Sequence, residues 1–251
     1  MYKLDSRYMG SAPDLNTVIA APASLRLLPM SAGAIVWAED PVWGPGEFIF
    51  ARAGGTISKY NLCVLTPVWD ATNRTFQMNM TAVPNTANLG RALYVNQGGD
   101  MTAGQYGWFM ASGITPVNCN ASVAADTTFG IAAAGQGGAN SAGKQVLNAR
   151  VVQAATATVV AAATGKSGDN VISFPQGFPV LNGFFVGGYL SGTNVGASAV
   201  VNFVDPFQQY IIASVNNSGV VSGNVTQTNN NATIFYNEAV LNRSFAQGAI
   251  T

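Results

Sequence analysis

Apolar and polar residues alternate with a period of two through much of this chain, and turn residues cut the alternation into short runs. TFQMNMTAV (75–83) is the clearest case. Phe76, Met78, Met80 and Ala82 fall on one side, and Gln77, Asn79 and Thr81 on the other. Successive strand residues point to opposite faces, so this is the pattern of a strand buried on one side. EFIFARA (47–53) sets Phe48, Phe50 and Arg52 against Ile49 and Ala51. AIVWA (34–38), TISKYNLCVL (56–65), RALYVNQ (91–97), QYGWFMASG (105–113) and TTFGIAAA (127–134) are further strand candidates. VLNARVVQAATATVV (146–160) is long enough for one strand or two. The Gly54-Gly55 pair between two runs is a hairpin signal.

The turn-rich stretch GKSGDN (165–170) marks a boundary. Beyond it VISF (171–174), GFFVGGYL (183–190), SAVVNFV (198–204) and QYIIASV (209–215) read as strands. The polar, low-complexity stretch 216–233 reads as a long hairpin or loop, and TIFYNEAVL (233–241) as a last strand. No run has helical spacing. Short strands at turn-punctuated intervals predict an all-β fold, a small barrel or sandwich. Residues 1–30 differ: Pro13, Pro22 and Pro29 interrupt every helix, and Leu25, Leu27 and Leu28 follow no clean period. They predict an extended arm on a neighbouring surface, or a first strand with a long lead-in. The expected organisation is an arm (1–30), a barrel or sandwich domain (31–164) and a second β module (165–251), with 233–245 closing the first domain.

Composition narrows the function. Of 251 residues, 48% are hydrophobic and only 9% charged, with 11 basic and 11 acidic side chains. An ordinary soluble domain carries about 25% charged residues. Polarity comes instead from Asn, Thr, Ser, Gln and 28 Gly, a surface that hydrogen-bonds yet costs less to desolvate than a charged one. That suits a chain covered in part by partners. Neutralising phosphates takes several cations together, and no basic cluster exists, so nucleic acid is not expected as a partner. The longest apolar stretch, 151–164, is short of the roughly 20 residues a membrane helix needs, and residues 1–10 lack the apolar core of a secretory signal.

The chemistry of catalysis is thin. There is no histidine, which removes the usual general base and the commonest zinc ligand. Glu39-Asp40 is the sole adjacent carboxylate pair, and strand neighbours point apart. The glycine-rich run 132–144 lacks phosphate-loop spacing. Cys63 and Cys119 match no metal pattern and read as buried thiols. Neither an enzyme, nor a cofactor, nor a metal is expected. Of the aromatics, Trp37, Trp69, Tyr106, Trp108 and Phe109 read mainly as core. Trp43, inside a Pro/Gly turn, reads as an anchor against another subunit.

Two stretches carry a resemblance. LPMSAGAIVWAEDPVWGPGEFIFARAGG (28–55), with Gly44, Gly46, Glu47, Phe48 and Ile49, resembles the opening of a family of tailed-bacteriophage virion proteins encoded near the major capsid protein. AGQYGWFMASGIT (103–115) resembles that family's Gln-Tyr-Gly-Trp strand, here Gln105, Tyr106, Gly107 and Trp108. Residues 88–105 and 146–154 fit as flanking segments, and the resemblance spans about 28–160. It implies a capsid cement, or decoration, protein on the outside of the virion, often a homotrimer, with no catalytic residues. The implied partners are the major capsid protein and other copies of the chain. Interface candidates on this reading are Trp43, Phe48, Tyr106, Trp108, Leu25, Leu27 and Leu28. The tail 234–245 resembles the strand that ends shorter members, so 165–231 reads as added material. A rival reading is a receptor- or carbohydrate-binding virion module, with Tyr189, Phe203 and Tyr210 stacking on sugars. A third is a depolymerase.

Overall fold

The computed structural model describes residues 3–4, 15–21, 28–40, 43–72, 74–155, 158–175, 184–205, 209–228 and 235–248. The fold is all-β, with no helix among the described residues. The chain divides into two compact units, 1–154 with 234–251, and 155–233.

The first unit holds β1 (Lys3–Leu4), β2 (Ile35–Asp40), β3 (Gly44–Ala53), β4 (Leu62–Asp70), β5 (Thr75–Ala82), β6 (Leu93–Asn96), β7 (Tyr106–Cys119), β8 (Gly130–Ala133), β9 (Gln136–Gly138) and β10 (Val146–Gln153). Strands β3, β5, β4, β6 and β7 pair in a closed cycle, all antiparallel except β3 with β5. Closure removes free sheet edges, and the result is a small barrel. The second unit contains β11 (Thr158–Gly165), β12 (Val171–Ser173), β13 (Tyr189–Gly192), β14 (Val201–Asp205), β15 (Tyr210–Ala213) and β16 (Val221–Thr228). They form one sheet in the order β13-β16-β11-β12-β15-β14. A bridge between Tyr189 and Val200 brings its two ends together. The chain then returns to the first unit as β17 (Phe235–Ala246), between β7 and β10.

Both faces of β3 and β7 are buried. Ile49, Ala51, Ala53 and Phe109 pack with Cys63, Met80 and Met101. On the opposite face Phe50 lies over Trp108 and Tyr106, with ring centroids 5.1 and 5.9 Å apart. Alternation along EFIFARA therefore separates two packed layers rather than core from solvent.

Several expectations change. Gly54-Gly55 does not make a tight hairpin, because β3 runs parallel to β5 and the intervening loop bonds to Met101 through Ile57. The run 146–160 is two strands in different units, so the first unit stops near 154 rather than 164. The polar stretch 216–233 contains β16, which pairs with both β11 and β13. Only Val221, Val225 and Gln227 of that strand are buried, so apolar content was never needed along its length. The described part of the arm packs on its own unit: Leu15 is fully buried, and Ile19 and Tyr106 exchange backbone hydrogen bonds of 2.8 Å. Leu25 and Leu27 lie outside the described residues.

Candidate interaction surfaces

Three of the sequence-predicted interface residues are core. Phe48, Tyr106 and Trp108 are 0%, 3% and 2% exposed within their own chain, so they offer no surface to a partner. The cause is the second packed layer on β3 and β7. Leu28 and Trp43 are half-buried. The exposed aromatics lie elsewhere, and two of them, Trp37 and Trp69, were expected in the core.

Trp69 and Phe76 face each other across the β4–β5 hairpin, 53% and 61% exposed. Their rings meet edge to face, with centroids 5.2 Å apart. Local pairing explains their exposure. The Gly33 N–H donates to the Phe50 carbonyl and the Phe50 N–H to the Ala34 carbonyl, so the two residues leading into β2 extend its pairing along the edge of β3 that β5 would otherwise follow. Strand β5 touches β3 only at Arg52–Asn79 and Ala53–Met80, and β4 touches β6 only at Leu62–Val64. The outer hairpin therefore leaves the barrel as a two-stranded finger. Arg91 ties its base by donating to the Leu65 carbonyl and to Thr66 Oγ1. The Asp70 carboxylate holds its turn, accepting from the Thr72 N–H at 2.9 Å and from Gln77 Nε2. Val68, 44% exposed, lies on the other face of the finger.

A second surface surrounds a cavity of about 300 Å³ beside β2. Ile35 and Trp37, two residues apart on β2, are both about half exposed. Ile35 stands opposite Ile49, and Trp37 opposite Glu47. Glu47 is a buried carboxylate, its side chain 5% exposed. Arg243 Nε and Nη2 donate to its two oxygens, each at 2.9 Å. This two-point ion pair raises the Arg243 pKa above its ordinary value, through the hydrogen bonds first and the carboxylate charge second. Tyr94 also lines the cavity, and its phenol is pushed up, mainly by burial and then by the Glu47 charge.

In the second unit Phe203 is 39% exposed, with its ring centroid 6.0 Å from that of Tyr210. Both thiols are free and buried. Burial holds Cys63 far above the ordinary thiol range and pushes Cys119 up to about 12, so neither is a nucleophile near neutral pH. Among the described residues, no three of Cys, Asp and Glu come together as a metal ion would require. No protein family, curated protein or solved structure matches the chain.

Proposed function

We propose that this chain is a structural assembly protein that docks on other protein subunits through the Trp69–Phe76 face of the β4–β5 finger. The observation that carries the reading is an aromatic pair held in water on a finger that the rest of the first unit does not cover. Large exposed aromatics on a well-anchored element are typical interface anchors. The scarcity of charge over the chain suits a contact made of apolar burial and hydrogen bonds.

The narrower reading is a cement protein on the exterior of a tailed-bacteriophage capsid, spanning seams between major capsid protein subunits. It rests on the resemblance of residues 28–160. A symmetric shell repeats each contact many times, so a modest interface per copy suffices. The test is to add purified chain to shells lacking it and count bound copies. Wild type should occupy the shell, and Trp69→Ala with Phe76→Ala should lower occupancy at least tenfold. Equal occupancy would remove the finger from the contact. Binding should also change little between low and physiological salt, since few charges are available for screening.

The exposed Phe203 beside Tyr210 favours a second reading, a glycan-binding role for the second unit. A glycan array probed with the full chain and with Phe203→Ala separates the two. Sugar binding lost in that variant would support it, and an array with no signal would reject it.

A further inference from the structure

The outer face of the second unit's sheet carries two aligned rows of side chains. Ser222 on β16 stands opposite Thr164 on β11, Thr164 opposite Ser173 on β12, Ser173 opposite Tyr210 on β15, and Tyr210 opposite Asp205 on β14. Residues directly opposite on paired strands share a face. Their sequence neighbours Val221, Ala163, Ile172, Ile211 and Val204 are all buried, so these five point outward. Ser222, Thr164 and Ser173 are exposed. Each of the five carries a hydroxyl or a carboxylate. Two residues along the strands, Val171 stands opposite Ile212 and Ile212 opposite Phe203. These three form an apolar row beside the polar one, and the Phe203 ring centroid lies 6.0 Å from that of Tyr210.

A groove of about 530 Å³ lies over the β16–β11–β12 part of this face. It is lined by the three hydroxyls, by Val171 and Val220, and by Lys166 and Asp169. The volume falls within the range for ligand sites, roughly 300–1,000 Å³. Among the described residues, the side chains of Thr164, Ser173, Ser222 and Lys166 have no hydrogen-bond or ion-pair partner. Asp169 accepts the Val171 N–H through one oxygen, at 3.2 Å, which leaves the other for a ligand. A hydroxyl bonded only to water exchanges that water for a ligand hydroxyl at little cost. Lys166 is offset by Asp169 and Asp205, so the face has no excess of positive charge to draw an anion. An extended peptide would add to a free sheet edge. Here the Leu190 N–H bonds the Ala199 carbonyl and the Val201 N–H the Gly188 carbonyl, which joins the two end strands to each other.

We propose that this face binds a neutral, extended glycan laid across the strands. Its hydroxyls pair with the Ser222–Thr164–Ser173 row, and the C–H faces of its rings rest on Phe203, Tyr210 and the apolar row. The strand spacing of about 4.8 Å is close to the length of one pyranose unit, so the polar row, roughly 19 Å long, holds about four units in register. The inference rests on the second reading above, glycan binding by the second unit, and adds the class of sugar, its course across the sheet and the hydroxyls that hold it.

The probes are neutral hexose and N-acetylhexosamine oligomers of two to six units, with uronic-acid oligomers as the acidic set, arrayed and then titrated with the full chain. Wild type should bind a neutral oligomer, with affinity rising at least tenfold from two units to four and little beyond. Thr164→Val combined with Ser173→Ala, both at exposed positions, should lower affinity for the four-unit probe at least tenfold, through two lost hydrogen bonds, and leave the melting temperature unchanged. Phe203→Ala should abolish binding. Oligomer binding lost in Phe203→Ala but kept in the hydroxyl variant would leave the second reading standing and overturn this groove. So would selective binding of the acidic set, or an affinity independent of length. An array on which wild type binds nothing would reject both.

Discussion

The two buried thiols make alkaline stability a sharp test of the packing described above. Cys119 is fully enclosed, and burial raises its pKa from 9.0 to about 12; the Cys63 thiol is raised further still by the same cause. The folded chain therefore holds both protons to higher pH than the unfolded chain does. Stability is whole below the unfolded thiol value and falls as pH climbs toward the folded one. Each titrating thiol costs about 1.4 kcal/mol per pH unit inside that window. Between pH 9 and pH 11, Cys119 alone should cost about 2 kcal/mol, and the two thiols together on the order of 4–5 kcal/mol. That is a large part of the roughly 5–15 kcal/mol by which domains are stable. The assay is urea unfolding under reducing conditions at pH 7, 9, 10 and 11. Cys119→Ala should be about 1 kcal/mol less stable at pH 7, from the lost sulfur packing. Its stability should then fall less steeply above pH 9, and Cys63→Ala should behave likewise. Three parallel curves would refute the argument, since they would mean that the thiols titrate alike in both states.

Asn237 bridges Val123 with both ends of its amide, donating to the carbonyl at 2.8 Å and accepting from the N–H at 3.4 Å. Asn237→Ala should cost about 2–3 kcal/mol in urea unfolding, because it strands buried backbone groups. Gly113 has a φ of 128°, and a Cβ there would sit 3.1 Å from Gly46 Cα and from the Pro45 oxygen. Gly113→Ala should cost about 2–3 kcal/mol and lower the melting temperature of the first unit, whereas Gly55→Ala, with nothing within 4 Å, should be near neutral. Trp69→Ala and Phe76→Ala should each change stability by less than about 1 kcal/mol, since the ring contact is exposed. A larger loss would mark the pair as structural.

Strand positions were legible in the sequence wherever alternation coincided with a turn signal, as in 75–83 and 47–53. Exposure was less legible, for two physical reasons. Alternation reports that a strand has two faces, but not whether the second is wet. Phe48 and Trp108 went inward on a face that a second packed layer covers. Trp69 and Phe76 show the reverse. Their strand pattern continues past the point where β2 displaces β5 from β3, and the same alternation then faces water. Long-range pairing of this kind leaves no local mark. The cavity was equally hidden, because Glu47 and Arg243 lie 196 residues apart and meet through two bulges. A partial signal existed: few acidic residues occur in the chain, and Glu47 sits amid an apolar run. Strand β16 escaped notice because a polar, Asn- and Thr-rich run forms a strand when only every second or fourth residue must be buried.

If the aromatic finger docks on shell subunits as proposed, electron microscopy of shells reconstituted with the full chain will show chain density on the outer surface, with Trp69 and Phe76 buried against a shell subunit. Shells that bind no chain, or a bound chain whose finger points into solvent, would contradict it.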